Sequence, residues 1–250
     1  MQKMMKRWQL TGTGLNNLTL ADVPVPVPGD HEVLIRVSAV SLNYRDLLVI
    51  DGKLLPELPE MPFTPASDMA GEIVAAGEKV TRFHTGERVI GNFWTQWTDN
   101  APPAEMAHHG MSLGGPLAGV LAEYIVLNEE TLVAVPPSLT DEEASTLPVT
   151  GLTAWFALKE SGDLQPGQTV LLQGTGGVSL AGLQIALAVG AEPVVLTRSA
   201  EKIARLNALG VTRIIDTRAT PAWADAVMSL TGGHGADHIL EVIGGENLRQ

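Results

Sequence analysis

Two patterns of apolar spacing divide the chain. From Glu32 to Val135 apolar residues come in short runs, Glu32–Val40, Gly71–Ala76, Arg88–Gly91, Glu123–Leu127 and Leu132–Val135, which predict strands. Turn signals at residues 77–79 and 85–87 separate some of them, and prolines cluster at Pro24, Pro26 and Pro28, from Pro56 to Pro65, and at Pro102 and Pro103. Asn43–Ile50 is spaced as one short helix. The first half therefore reads as an antiparallel, barrel-like domain of short strands.

After Pro136-Pro137 the period changes, which sets expected domains of 1–136 and 137–250. A helix opens at Thr140, where Glu143 can complete a capping box. Val170, Leu171 and Leu172 form an apolar run of the kind found in a strand buried on both faces. Glycines at 174, 176 and 177 interrupt it, and Leu180, Leu183, Ile185, Ala186, Leu187 and Val189 follow at helical spacing up to Gly190. Val194–Leu196, Thr212–Asp216 and Asp237–Ile243 read as further strands, with helices over Glu201–Leu209 and Pro221–Leu230 between them. Alternation of this kind predicts an α/β, doubly wound parallel sheet.

The order strand, glycine turn, helix is what a pyrophosphate site needs. Gly174 permits the tight turn, and Gly176 lets backbone approach phosphate. Thr175, Gly177 and Val178 complete the turn where the helix offers free N–H groups and its positive dipole end. Ser179 stands where the fingerprint has Gly or Ala, a departure expected to loosen helix–strand packing slightly. Beyond the second strand come Thr197, Arg198, Ser199, Ala200, Glu201 and Lys202. Arg198 can clamp a phosphate, Ser199 can donate a hydroxyl bond and Lys202 adds a point charge, which favours NADP(H) over NAD. The alternative for Arg198 and Lys202 is an ordinary solvated helix start. Glu201, the nearest acid, lies past the strand end, in the helix's first turn where acids are common.

Composition narrows the classes. The 250 residues are 45% hydrophobic, enough for real cores, and the formal charge of −12 argues against nucleic acid and anionic membrane as partners. There is no cysteine, so disulfides and thiolate metal sites are excluded. No apolar run approaches a membrane span, and Trp8-Gln-Leu-Thr-Gly12 breaks any signal-like core after the basic start, so a cytoplasmic protein is expected.

The order of parts resembles the medium-chain dehydrogenase/reductase superfamily, and within it the zinc-independent quinone-oxidoreductase-like branch. The likeness rests on Ser41-Leu-Asn-Tyr-Arg-Asp46, Ala70-Gly-Glu-Ile-Val-Ala-Ala-Gly77 and Phe83-His-Thr-Gly-Glu-Arg-Val89 in the first domain. Leu147-Pro-Val-Thr-Gly-Leu-Thr-Ala-Trp155 and Gly174-Thr-Gly-Gly-Val-Ser179 carry it through the second. It implies a GroES-like β-barrel domain, then a Rossmann sheet, and an NADPH-dependent transfer of hydride to a quinone, enone or small carbonyl substrate. Zinc-dependent members carry ligands where this chain resembles them at Asn43, Ser67 and Val149, none of which is the expected ligand, so no metal is expected. The adjacent His108 and His109 diverge on any regular element and read as a polar loop or helix face.

Without zinc, hydrogen bonds and the substrate's own electron demand must polarise the acceptor. Asn43 can donate through its amide and Tyr44 through its phenol, although Asn is equally at home as a helix N-cap. Asp46 can order Arg45 or a backbone turn. By resemblance Thr150 and Thr153 run beneath the nicotinamide, where their hydroxyls fix ribose or carboxamide or else bond back to helical carbonyls. Trp155 and Phe156 are expected in the core, and Trp94 and Trp97 either line an apolar cleft or pack under a loop.

The expected sheet stops at its fourth strand, whereas the resemblance implies further strands that complete the nicotinamide end and pair in dimers. A homodimer is expected only where those strands are present. Two hypotheses stay open: an NADPH-dependent oxidoreductase, and a non-catalytic NADPH-binding or inert truncated relative that binds without turnover.

Overall fold

Contacts in the computed structural model, which describes residues 3–97, 102, 104, 106, 110–245 and 248, group the chain into two units, Met1–Val149 and Thr150–Gln250. The first opens with a hairpin that the apolar pattern did not announce, β1 (Met4–Leu10) against β2 (Leu18–Pro24), with Met4 opposite Pro24 and Leu10 opposite Leu18. Met5 and Gln9, on one face, are buried while Lys6, on the other, points out to Asp22 at 2.8 Å. Lys6 with Met4 and Trp8 makes the exposed side of the strand.

β3 (Glu32–Ser41), β4 (Asp68–Ala76), β5 (Arg88–Gly91), β6 (Tyr124–Asn128) and β7 (Leu132–Ala134) form an antiparallel sheet in the order β6-β3-β4-β5-β7. Val33, Ile35, Met69, Ile73, Val89 and Leu132 pack on one another at no more than 1% exposure. Irregularities between Leu34 and Ile35 and between Val37 and Ala39 bend β3 along β4, as bulges do. At Gly71 a Cβ would run into the Arg36 carbonyl, so only glycine lets the two strands approach there. Helix α1 (Tyr44–Ile50) buries Val49 and Ile50 against Leu10 and Phe63.

Helix α2 (Asp141–Ala144) starts with the expected capping box, Thr140 Oγ1 accepting from the Glu143 N–H at 3.2 Å and Glu143 Oε2 from the Thr140 N–H at 3.0 Å. Ala144, fully buried, packs on Ala70, Ile90 and Val135. That packing carries the first unit through Val149, past the composition break at Pro136-Pro137.

The second unit begins in a helical stretch, α3 (Leu152–Trp155), with π-helical turns at Leu147–Gly151 and Phe156–Ser161. Trp155 and Phe156 do not join the core: they are 46% and 50% exposed, because Ala154 and Leu158 occupy the inward side of the turn. Strands β8 (Thr169–Gln173), β9 (Glu192–Thr197), β10 (Arg213–Asp216) and β11 (His238–Leu240) are parallel in the order β10-β9-β8-β11. Helices α4 (Gly177–Val189), α5 (Ala200–Ala208) and α6 (Trp223–Leu230) connect them. Alternate residues feed the two faces, Val170 and Leu172 packing with Leu183 and Leu206, Leu171 with Trp223 and Val227. Each of these strand residues, at most 2% exposed, contributes about 1.5–3 kcal/mol by burial.

Two further expectations change. The fourth strand ends at Leu240 rather than Ile243, because the Glu241 carboxylate takes the N–H groups of Ile243 and Gly244 at 2.7 and 2.9 Å and turns the chain. Ser179 does not loosen the helix: its buried hydroxyl donates to the Gln173 carbonyl at 2.8 Å and ties α4 to β8. No helix of the described residues is long and apolar enough to cross a membrane.

Candidate functional site

Strand order reverses beside β8, with β9 on one side and β11 on the other, and in open parallel sheets ligands bind outside the carboxyl ends at such a point. Gly174 takes φ +84°, a left-handed conformation that sets the turn after β8, and its N–H donates to the Leu196 carbonyl at 3.0 Å. Gly176 is the N-cap of the 13-residue α4, which leaves the first amides of that helix free for an anion. A Cβ on Gly177 would stand 3.1 Å from the Thr150 methyl, so glycine here lets Thr150 pack at the helix start.

A cleft of about 540 Å³ opens over this turn, lined by Gly174, Thr175, Arg198, Ser199, Lys202 and Trp223 among others. The cleft therefore gathers five of the residues singled out for cofactor binding. Of the others, Gly176, Gly177 and Thr150 lie at the start of α4, Val178 packs into the core and Thr153 is exposed. Lys202 Nζ donates to Thr175 Oγ1 at 3.0 Å, joining the glycine turn to the start of α5. Glu201 is 84% exposed and faces Arg205 at 3.9 Å. The sequence pattern held no sign of the Thr175–Lys202 bond, which depends on two turns meeting.

In the first unit Asn43 caps α1, its N–H donating to Asp46 Oδ2 at 2.7 Å. Asn43, Tyr44, Asp46, Leu47 and Ile50 line a second cleft of about 370 Å³ with Leu15, Leu18 and Leu121. Tyr44 is 77% exposed. Behind it lies a buried polar nest. Asp68, with no exposed surface, accepts from Ser67 Oγ at 2.7 Å and from the Val149 N–H at 3.0 Å. Arg45 donates to the carbonyls of Leu113 and Gly115 at 3.2 and 3.1 Å, stacks 4.7 Å over Phe93 and lies 4.0 Å from Asp46. Burial pushes the carboxyls of Asp46 and Asp68 up, against hydrogen bonds and the Arg45 charge that pull them down, and burial lowers Arg45. Nδ2 of Asn43, beside Asp68, and Oδ1 of Asp46 are buried without a hydrogen-bond partner.

Asn43, Ser67 and Val149, the positions at which the resemblance places zinc ligands, thus carry an amide, a hydroxyl and an isopropyl group, and two of these residues bond to one carboxylate. That donor set does not fit zinc, which needs thiolate, imidazole or carboxylate ligands in a tetrahedron. Among the described residues no three His, Cys, Asp or Glu side chains stand together as a metal site, and His108 and His109 lie outside the described residues. Trp94 and Trp97 are half-buried, Trp94 edge-on to Phe93 at 4.8 Å. Asp68 and the anchors of Arg45 escaped the sequence reading. A Ser-Asp pair opening an apolar strand was the available signal.

Comparison with known proteins supplies names for both units. Residues 29–137 match the family "Alcohol dehydrogenase GroES-like domain" and residues 177–250 the family "Zinc-binding dehydrogenase". A zinc-type alcohol dehydrogenase-like protein of Schizosaccharomyces pombe is 41% identical over 244 residues, 95% of this chain and 69% of its own length. A quinone oxidoreductase-like protein 2 homolog of Nematostella vectensis is 34% identical over 89% of this chain, which spans only 54% of that protein. A solved structure from Sinorhizobium meliloti 1021, provisionally named an alcohol dehydrogenase, superposes with a TM-score of 0.92 at 49% identity, covering 98% of this chain and 72% of its own.

Proposed function

The chain belongs to the medium-chain dehydrogenase/reductase superfamily, and on that premise we propose that it is an NADPH-dependent oxidoreductase that passes hydride to a quinone, enone or small carbonyl compound without zinc. The observation that carries the reading is the single cleft over β8 and β9 in which the glycine turn, Arg198, Ser199 and Lys202 meet. The turn and the first amides of α4 would hold the pyrophosphate. Arg198, with Ser199 and Lys202 beside it, would take the 2′-phosphate, while Glu201 is turned to Arg205. Thr150 at the start of α4, with Thr153 one turn on, would fix the nicotinamide end.

Once bound, the nicotinamide supplies the hydride. The chain's own part is to orient the acceptor: the Asn43 amide and Tyr44 phenol would donate to its oxygen, and Leu15, Leu18, Leu47 and Leu121 offer an apolar bed. The quinone oxidoreductase-like relative agrees with such an acceptor, and the amide, hydroxyl and isopropyl at the ligand positions support a reaction without zinc. A small-molecule rather than nucleic-acid partner, supported by the net charge of −12, and a cytoplasmic setting belong to the same reading.

The test is NADPH oxidation by this chain with 1,4-benzoquinone, run with and without EDTA. Substrate-dependent oxidation that EDTA leaves unchanged is expected. Loss of activity in EDTA, restored by zinc, would overturn the zinc-free reading, and NADPH binding with no turnover on any quinone or enone would reduce the protein to a binding module.

A further inference from the structure

Tyr44 is the exposed member of a first helical turn whose neighbours are both tied inward. Successive residues of a helix diverge by about 100°, so fixing Asn43 and Arg45 sets where the Tyr44 side chain leaves the helix, at the rim of the cleft it lines. The ties come from two sides. Arg45 is clamped by the Leu113 and Gly115 carbonyls and the Phe93 ring. Asn43 is held through its N–H to Asp46 and lies beside Asp68, which is itself gripped by Ser67 Oγ and the Val149 amide.

A fully buried carboxylate is costly unless donors and a counter-charge surround it. Asp68 meets that requirement with groups drawn from positions 67 and 149, and with the charge of Arg45 from the first turn of α1. The chain thus keeps a buried charge where an apolar residue would pack at lower cost, at the root of the turn that presents Asn43 and Tyr44. Asp46, Arg45 and Asp68 are the charged groups that face one another in this nest.

We propose that Asp68 is a positioning residue: held by Ser67 and the Val149 amide and paired in charge with Arg45, its carboxylate fixes the first turn of α1 so that Asn43 and Tyr44 present their donors to the acceptor. This rests on the oxidoreductase reading for its consequence in turnover, but not for its consequence in structure. Asp68 touches no substrate, so it acts through the other two.

The experiment compares Asp68→Asn, Ser67→Ala, Tyr44→Phe and the double variant Asp68→Asn/Tyr44→Phe. Turnover of NADPH with 1,4-benzoquinone should fall at least tenfold in Asp68→Asn and about threefold in Ser67→Ala, with KM and Kd for NADPH unchanged, as removal of one charged and one neutral hydrogen-bond partner implies. Tyr44→Phe should lower kcat alone yet change it less than twofold in the Asp68→Asn background, because the phenol is then already misplaced. Additive losses in the double variant, or wild-type kcat in Asp68→Asn, would overturn the proposal. Where Asp68→Asn fails to fold by circular dichroism, Ser67→Ala paired with Tyr44→Phe carries the same cycle. Hydrogen exchange gives a readout independent of turnover: amides of residues 44–50 should exchange at least tenfold faster in Asp68→Asn while those of residues 177–189 keep their wild-type rates. Unchanged exchange at 44–50 would overturn the proposal even in a chain that turns over no substrate, and faster exchange without turnover would refute the oxidoreductase reading alone.

Discussion

The cleft of the second unit is made of backbone and of long cations at the surface, whereas the polar nest of the first is made of an arginine and short polar side chains that burial holds in place. Gly174, Gly176 and the open amides of α4 do the shaping in the one, with Arg198 and Lys202 exposed above them. In the other, Asp68 is fully buried and Arg45 keeps only 15% of its side chain exposed. A cationic site at the surface costs the fold little and gains its energy from the ligand. A buried charge cluster costs the fold continuously and is stable only while complete.

The sharpest way to break this contrast is to apply one substitution to both arginines. Arg45→Leu strips the counter-charge from two buried carboxylates and should cost about 3–5 kcal/mol in urea unfolding. Arg198→Leu should stay within about 0.5 kcal/mol of wild type, as exposed changes do. Equal costs would mean that the nest is not held by charge.

A smaller effect is expected where helix meets strand under the glycine turn. Ser179→Ala removes the bond to the Gln173 carbonyl and should lose about 1 kcal/mol of stability, leaving NADPH affinity within twofold of wild type. A large loss of affinity instead would make Ser179 part of the phosphate site rather than of its scaffold.

The buried carboxyls of the nest and Asp237 of the second unit also differ in the sign of their response to pH. Asp46 and Asp68 are raised chiefly by burial, so their folded form binds protons more tightly than the unfolded one. Their contribution is complete below the ordinary value of 3.8 and is lost as pH rises through the folded values. Asp237 is lowered, first by the Thr169 N–H at 2.8 Å and then by His234, so its contribution is present above 3.8 and lost as pH falls through the folded value. Asp46→Asn should therefore gain on wild type as pH rises above 3.8, and Asp237→Asn should fall behind wild type only once pH exceeds the folded value of Asp237. Urea midpoints across acidic pH measure both slopes, and a common sign would contradict the contrast.

The same difference decides what could be read from the residues alone. A glycine turn between an apolar run and an amphipathic helix is local, so β8, its turn and α4 lie where spacing put them, and Arg198 to Lys202 follow at the end of the next strand. The Thr140 capping box was local too. The nest of Asp68 joins positions 45, 67 and 149, and no periodicity ties those together. Trp155 and Phe156 went wrong for a related reason. Bulk predicts burial on average, but the inward side of that turn is taken by Ala154 and Leu158. In β1 the adjacent Lys6 and Arg7 masked an alternation that pairing with β2 makes plain.

Fluorescence titration of the whole chain with NADPH and NADH in parallel, in wild type and in Arg198→Ala, tests the central claim most directly. Tighter binding of NADPH is expected, with Arg198→Ala weakening it about 10- to 100-fold, the loss of a charge-assisted pair worth about 1.5–3 kcal/mol, and leaving NADH unmoved. Equal affinity for the two cofactors in wild type, or equal loss for both in the variant, would contradict the assignment of the cleft over β8 and β9 to NADPH.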